Sequence, residues 1–137
     1  MYINETKLKV RYVETDKMGI VHHSNYYAWF EVGRGEFVSN SGMSYRALED
    51  RGLMMPLVES HCKYYEGAKY EDEVTIRTWV QELSGVKVVF NYEVIRDSDK
   101  KLLAKGDTVQ TFVGNEFKIV NIKKKYPDVW EKLESLC

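Results

Sequence analysis

The sequence predicts an α+β fold: an antiparallel five-stranded sheet wrapped around one long central helix. Three observations predict it, namely five β-like runs, one helix-period stretch with a large aromatic face, and compact turns between the last three runs. The chain opens on alternation, with Leu8, Val10 and Tyr12 on one side and Lys7, Lys9 and Arg11 on the other. Period two marks a strand with one buried face. A loop follows at Glu14-Thr15-Asp16-Lys17-Met18-Gly19, punctuated by Asp and Gly. A helix starting at His23 or Ser24 then spaces Tyr26, Trp29, Phe30, Gly33 and Phe37 at i, i+3, i+4, i+7 and i+11. Gly33 and Gly35 weaken that helix by about 1 kcal/mol each relative to Ala, which close approach of its backbone to the sheet would offset. Ser41-Gly42 stops it, and a short helix over residues 44–51 is closed by Gly52. Long β-like runs occupy residues 57–65, 73–83, 86–96 and 101–113. Turns at Ser84-Gly85 and Asp97-Ser98-Asp99 make the runs they join antiparallel neighbours. Pro127 opens a last helix over residues 127–136, and Lys123-Lys124-Lys125 before it reads as a solvated basic corner. Helix and sheet then bury their apolar faces against each other.

At 137 residues the chain fits a single domain, 1–137, with enough length to bury a core. Apolar residues at 44% and charged residues at 30% exclude a disordered or low-complexity chain. The formal net charge of −1 supplies no basic excess for a nucleic-acid partner. The longest charge-free apolar stretch, residues 53–58, is far short of the roughly 20 residues of a membrane span. The N-terminal residues lack the basic start and apolar run of a signal peptide, so the expected location is cytoplasmic. Cys62 and Cys137 lie far apart with no CxxC, which supports neither a zinc site nor a disulfide framework.

The densest polar constellation is Asp16-Lys17-Met18-Gly19-Ile20-Val21-His22-His23-Ser24-Asn25-Tyr26. Asp16 is a carboxylate able to activate water or attack a carbonyl. The helix start that follows offers unpaired backbone N–H groups and a positive dipole end, suited to a developing oxyanion. Two of the three histidines fall here. The plain alternative has Asp16 ending a turn, Ser24 or Asn25 capping the helix, and half-buried histidines. His22 is expected as a loop residue pointing away from His23, since adjacent residues of an extended segment diverge. His61 is expected as a partly buried strand residue. No helical His-x₃-His spacing gathers Asp16, His22, His23 and His61 into a metal site, so no metal and no cofactor are expected.

The stretch Arg11-Tyr12-x-Glu14-Thr15-Asp16-x-Met18-Gly19-x-Val21-His22-His23-Ser24-Asn25-Tyr26-x-x-Trp29-Phe30-Glu31 resembles the signature of the hotdog-fold 4-hydroxybenzoyl-CoA thioesterase-like family, its YbgC-type acyl-CoA thioesterases in particular. The similarity continues through Tyr45-x-x-Leu48-Glu49, Val58-Glu59, Tyr64-Tyr65, Ala68-x-Tyr70-Glu71-Asp72 and Ala104-x-Gly106-x-Thr108. The resemblance implies hydrolysis of an acyl-CoA to free acid and CoA, without a metal. It implies Asp16 as general base or nucleophile, and the His23 N–H in the oxyanion hole with its side chain part of the site. Asn25 and Tyr26 become expected substrate-binding positions at the helix entry, and Glu59 another, facing an adjoining subunit. It further implies a homo-oligomer, a tetramer rather than a dimer, with each site between a helix-start loop and a neighbour's surface. Two departures concern backbone shape: Gly67 stands where the family often has Pro, and Phe117-Lys118-Ile119-Val120-Asn121-Ile122 stands where an Ile-Pro pair is usual.

Rival functions are a hotdog dehydratase or hydratase of acyl thioesters and a non-catalytic acyl-CoA-binding module. The first usually places a catalytic His before a Gly/Pro-rich loop, and the second gains nothing from a carboxylate beside the thioester. An RNA-binding role for the ten tyrosines is opposed by the net charge and by their spread along the chain.

Overall fold

The computed structural model describes residues 1–137. Strand β1 (Asn4–Lys9) leads through a 3₁₀ turn (Tyr12–Glu14) and a loop into α1 (Ser24–Ser39) and α2 (Tyr45–Asp50). Strands β2 (Leu57–Tyr64), β3 (Glu73–Leu83), β4 (Lys87–Arg96) and β5 (Lys101–Thr111) follow, then α3 (Ile122–Lys125) and α4 (Pro127–Glu134). The sheet order is β1-β3-β4-β5-β2, and every neighbouring pair is antiparallel. The hairpins β3–β4 and β4–β5 sit at its centre. β1 and β2 return to opposite edges, so the sheet curls around α1.

The aromatic stripe of α1 faces the sheet's inner side. Phe30 stacks on Tyr92 at 4.3 Å and Phe37 meets Phe90 edge-on at 5.3 Å, geometries that suit aromatic quadrupoles. Gly33 is where the helix backbone comes closest: a Cβ there would stand 2.4 Å from Thr78 Oγ1. Gly35 has open space around its would-be Cβ, so close approach accounts for only one of the two glycines. A cluster of 25 buried residues joins α1, the sheet and the C-terminal helices.

One local expectation is corrected in β1. Tyr12 is not on the buried face of β1 but 75% exposed. The strand stops at Lys9 because Glu14 folds back, accepting a 2.8 Å hydrogen bond from the Arg11 N–H and turning the chain. Lys123-Lys124-Lys125 is exposed, as expected of a solvated basic corner, and it forms most of the single turn of α3, whose start is capped by Asn121 Oδ1 accepting from Lys123 N–H. Buried Ile122 anchors that turn, and Lys123 lies 4.5 Å over the Trp130 ring.

Candidate active site

The loop between β1 and α1 is a small closed hairpin. Thr15 and Val21 bridge it, the Asp16 N–H donates to Ile20 O (2.9 Å) and the Gly19 N–H to Asp16 O (3.0 Å). Gly19 has φ +79°, a left-handed conformation that costs a residue with a Cβ. The Met18 N–H donates to Asp16 Oδ1 at 2.8 Å. Asp16 does end a turn, but only one of its oxygens is committed to it.

Two partners outside the hairpin hold it against the core. The Val21 N–H donates to Ala68 O and the His22 N–H to Glu14 O, both at 2.8 Å. Glu14 is 4% exposed, and its carboxylate accepts from Trp29 Nε1–H (2.9 Å) and from Arg11 N–H and Nη2–H (2.8 and 3.4 Å). Burial by itself would push this carboxyl up, but those hydrogen bonds and the Arg11 charge outweigh it and hold Glu14 below the usual range. Sequence reading passed over Glu14 as a functional residue. The available signal was an acid in the motif with an indole fifteen residues on, and helix periodicity does not connect the two.

The backbone of His23 is already helical (φ −54°, ψ −31°). The segment is therefore not extended there, and the rings of His22 and His23 lie 4.2 Å apart instead of diverging. The helix start is capped by neither Ser24 nor Asn25. His22 Nδ1 accepts from the Ser24 N–H (3.3 Å) and lies 2.8 Å from Ser24 Oγ. Asn25 Nδ2–H reaches back to Glu14 O (2.9 Å) and His22 O (3.4 Å), tying helix to loop. The His23 carbonyl accepts from Tyr64 OH (3.3 Å), whereas no acceptor in the chain takes the His23 N–H.

Asp16 and His23 line one cleft of about 550 Å³, walled by Met18, Ile20, Tyr26 and Tyr64. Tyr26 and Tyr64 meet edge-on at 5.2 Å, and Tyr26 OH accepts from the Ala68 N–H (3.3 Å). Burial pushes both phenols above the ordinary tyrosine range, so they stay neutral at physiological pH. Gly67 closes the far wall: a Cβ there would stand 2.6 Å from Ile20 Cγ2. Gly67→Ala is therefore expected to push Ile20 and the Asp16 hairpin outward and lower kcat. Adding Ile20→Ala to it should restore part of the loss, and a Gly67→Ala enzyme as active as the parent would refute the contact's importance.

The structure does not bring Glu59 to this cleft. It lies exposed on β2 opposite Val109, with Oε1 3.7 Å from His61 Nε2. His61 is not partly buried: its side chain is 60% exposed, with Nδ1 2.8 Å from Asp107 Oδ1. That hydrogen bond, and the Asp107 charge, raise His61 above the usual histidine range.

The model of the thioesterase-like superfamily matches residues 10–129. The chain belongs to this superfamily. Among relatives of this thioesterase-like chain, the candidate acyl-CoA thioesterase YneP of Bacillus subtilis is 33% identical over 129 residues, 93% of each chain. A candidate esterase of Aquifex aeolicus is 37% identical over 121 residues, 88% of this chain and 92% of its own. The crystal structure of a DHNA-CoA thioesterase from Staphylococcus aureus superposes with a TM-score of 0.91 at 31% identity, covering 99% of this chain and 93% of that one. The fold is that of the hotdog thioesterases, and the thioesterase-like chain is a thioester hydrolase.

Proposed function

We propose that this enzyme hydrolyses an acyl-CoA to a free acid and CoA, with Asp16 as general base or nucleophile and the His23 N–H in the oxyanion hole. One observation carries the reading: Asp16, one of whose carboxylate oxygens makes no hydrogen bond within the chain, lines the same cleft as His23, whose N–H has no acceptor. As a base, Asp16 takes a proton from water while the hydroxide adds to the thioester carbon. The carbonyl oxygen becomes an oxyanion on the His23 N–H, and collapse expels the CoA thiolate, which recovers the proton. As a nucleophile, Asp16 attacks the thioester carbon and expels the CoA thiolate to form an acyl anhydride; water then opens the anhydride to the free acid and the Asp16 carboxylate, and the proton released goes to the thiolate. Either route needs no cofactor or metal, because a thiolate is a good leaving group at neutral pH. Tyr26, Met18, Ile20 and Tyr64 provide the wall for the acyl group, and Asn25 acts by fixing the helix entry.

The names of the relatives support acyl-CoA as the substrate class. A panel from acetyl- to palmitoyl-CoA with aromatic acyl-CoAs, read by release of free CoA thiol, tests it, with thiol release expected from at least one member. Hydration of crotonyl-CoA with no thiol release from any member would replace hydrolysis by the hydratase reading.

The same proposal takes residues 1–137 as one domain acting in the cytoplasm, in a homo-oligomer. No helix is long and apolar enough to cross a membrane. β2 is an edge strand exposed on nearly its whole length, including Leu57, Val58 and Tyr64. Such an edge pairs readily with another chain. Pairing β2 with a second copy would set that copy beside the cleft through Tyr64, and would bring Glu59 near a subunit boundary. Light scattering at micromolar concentration is expected to give a tetramer mass, and a monomer would overturn the assembly.

A further inference from the structure

On the sheet's outer face, β2 and β5 place two lysines directly against each other. Lys63 is the register partner of Lys105 in the antiparallel ladder, and both side chains are exposed. Directly opposed residues share a face, and like charges in that arrangement destabilise a sheet. Lys7, Lys9, Lys87, Lys101 and Lys118 each reach a carboxylate, whereas Lys63 and Lys105, like the lysines at 17, 69, 100, 123–125 and 132, reach none. The acids around them are already engaged. Glu93, the β4 partner of Lys105, is held by Arg77 at 2.7 Å, and Asp107 by His61 at 2.8 Å. An exposed lysine blunts a sheet edge, but Lys105 lies on β5, inside the sheet, where that service is not needed.

The pair also has a location. His61, Lys63, Tyr65, Asn91, Lys105 and Asp107 line a hollow of about 650 Å³, and Tyr65 lines the Asp16 cleft as well. Lys63 Nζ stands 5.5 Å from the centre of the Tyr65 ring. Tyr65 follows the end of β2 directly, so at about 3.4 Å per residue it lies roughly 7 Å along the chain from Lys63. Tyr65 therefore lines both hollows, one walled also by Asp16 and His23 and the other by the two unpaired lysines. That layout matches a ligand with a reactive carbonyl at one end and phosphates beyond a neutral arm.

We propose that Lys63 and Lys105 hold the phosphates of the substrate's nucleotide half, with the pantetheine arm passing Tyr65. The assignment rests on the acyl-CoA reading above. The contact is solvent-exposed, so each lysine contributes modestly and is screened by salt. Because the phosphates bind ground and transition states alike, the effect falls on KM and spares kcat.

The test compares the wild type with Lys63→Gln/Lys105→Gln on acyl-CoA, acyl-dephospho-CoA and an acyl-N-acetylcysteamine. KM for acyl-CoA should rise roughly tenfold at low salt with kcat unchanged, while the N-acetylcysteamine thioester shows no difference. In the wild type that KM should rise with salt, and in the double variant the salt dependence should shrink. A rise kept on acyl-dephospho-CoA assigns the lysines to the pyrophosphate, and a rise lost there assigns them to the 3′-phosphate. Calorimetry with adenosine 3′,5′-bisphosphate is independent of turnover and should show binding weakened about tenfold in the variant. If the wild type cleaves acyl-CoA with a KM that the double substitution leaves unchanged, the lysine site falls and hydrolysis stands. If it cleaves no acyl-CoA while the bisphosphate still binds through the lysines, the acyl-CoA reading falls and the anion site stands.

Discussion

Asp16→Asn is expected to lower kcat by about 10²–10⁴-fold, the range of a positioned general base, with the fold unchanged. The substitution separates chemistry from structure because of how Asp16 is used. Its Oδ1 accepts the Met18 N–H that closes the hairpin, and an asparagine carbonyl oxygen can do the same. What the amide cannot do is take a proton from water or form an anhydride. Circular dichroism and the melting transition should therefore match the parent while thiol release collapses. A variant with near-normal kcat would remove Asp16 from the mechanism.

The second large effect is expected at Glu14. Glu14→Ala leaves the buried Trp29 Nε1–H without an acceptor and frees the N–H of the exposed Arg11. A buried orphan donor costs about 1–3 kcal/mol, so a loss of that size is expected from urea unfolding. Glu14→Gln keeps an acceptor oxygen and should lose less. The charge also sets a direction with pH. The folded-state pKa of Glu14 lies below its unfolded value near 4.5, so the folded state holds the proton less tightly. Its contribution to stability is complete above about pH 4.5 and is lost as pH falls through the lower folded value. The urea midpoint of the wild type should drop more steeply below that pH than the midpoint of Glu14→Gln. Equal acid limbs would show that the ionised form of Glu14 does not stabilise the fold. Because the Glu14 carbonyl also receives the His22 N–H and Asn25 Nδ2–H, kcat should suffer in Glu14→Ala even under conditions where the chain stays folded.

Local pattern made the elements readable. The alternation through β3 marked the same residues, 73–83, that form the strand, and the aromatic spacing from Tyr26 to Phe37 marked α1. Asp16 and His23 were readable as a candidate site for a related reason: both lie in one short loop-to-helix junction, so their proximity follows from chain connectivity. The misreadings at Tyr12 and His22 came from carrying a strand pattern a few residues into a turn, where one carboxylate, Glu14, redirects the backbone.

The sequence by itself determined where α1 and the central strands β3 and β4 lie and which carboxylate stands before the helix, because periodicity and turn chemistry act over a few residues. Only the tertiary structure decided that Glu14 is buried on Trp29, that Gly67 makes room for Ile20, and that β2 pairs with β5 so that Lys63 faces Lys105. Each of those contacts joins residues distant along the chain. Strand order, register and helix-to-sheet spacing set them through the packing of the whole core, and no local period encodes a register between segments that meet only in the fold.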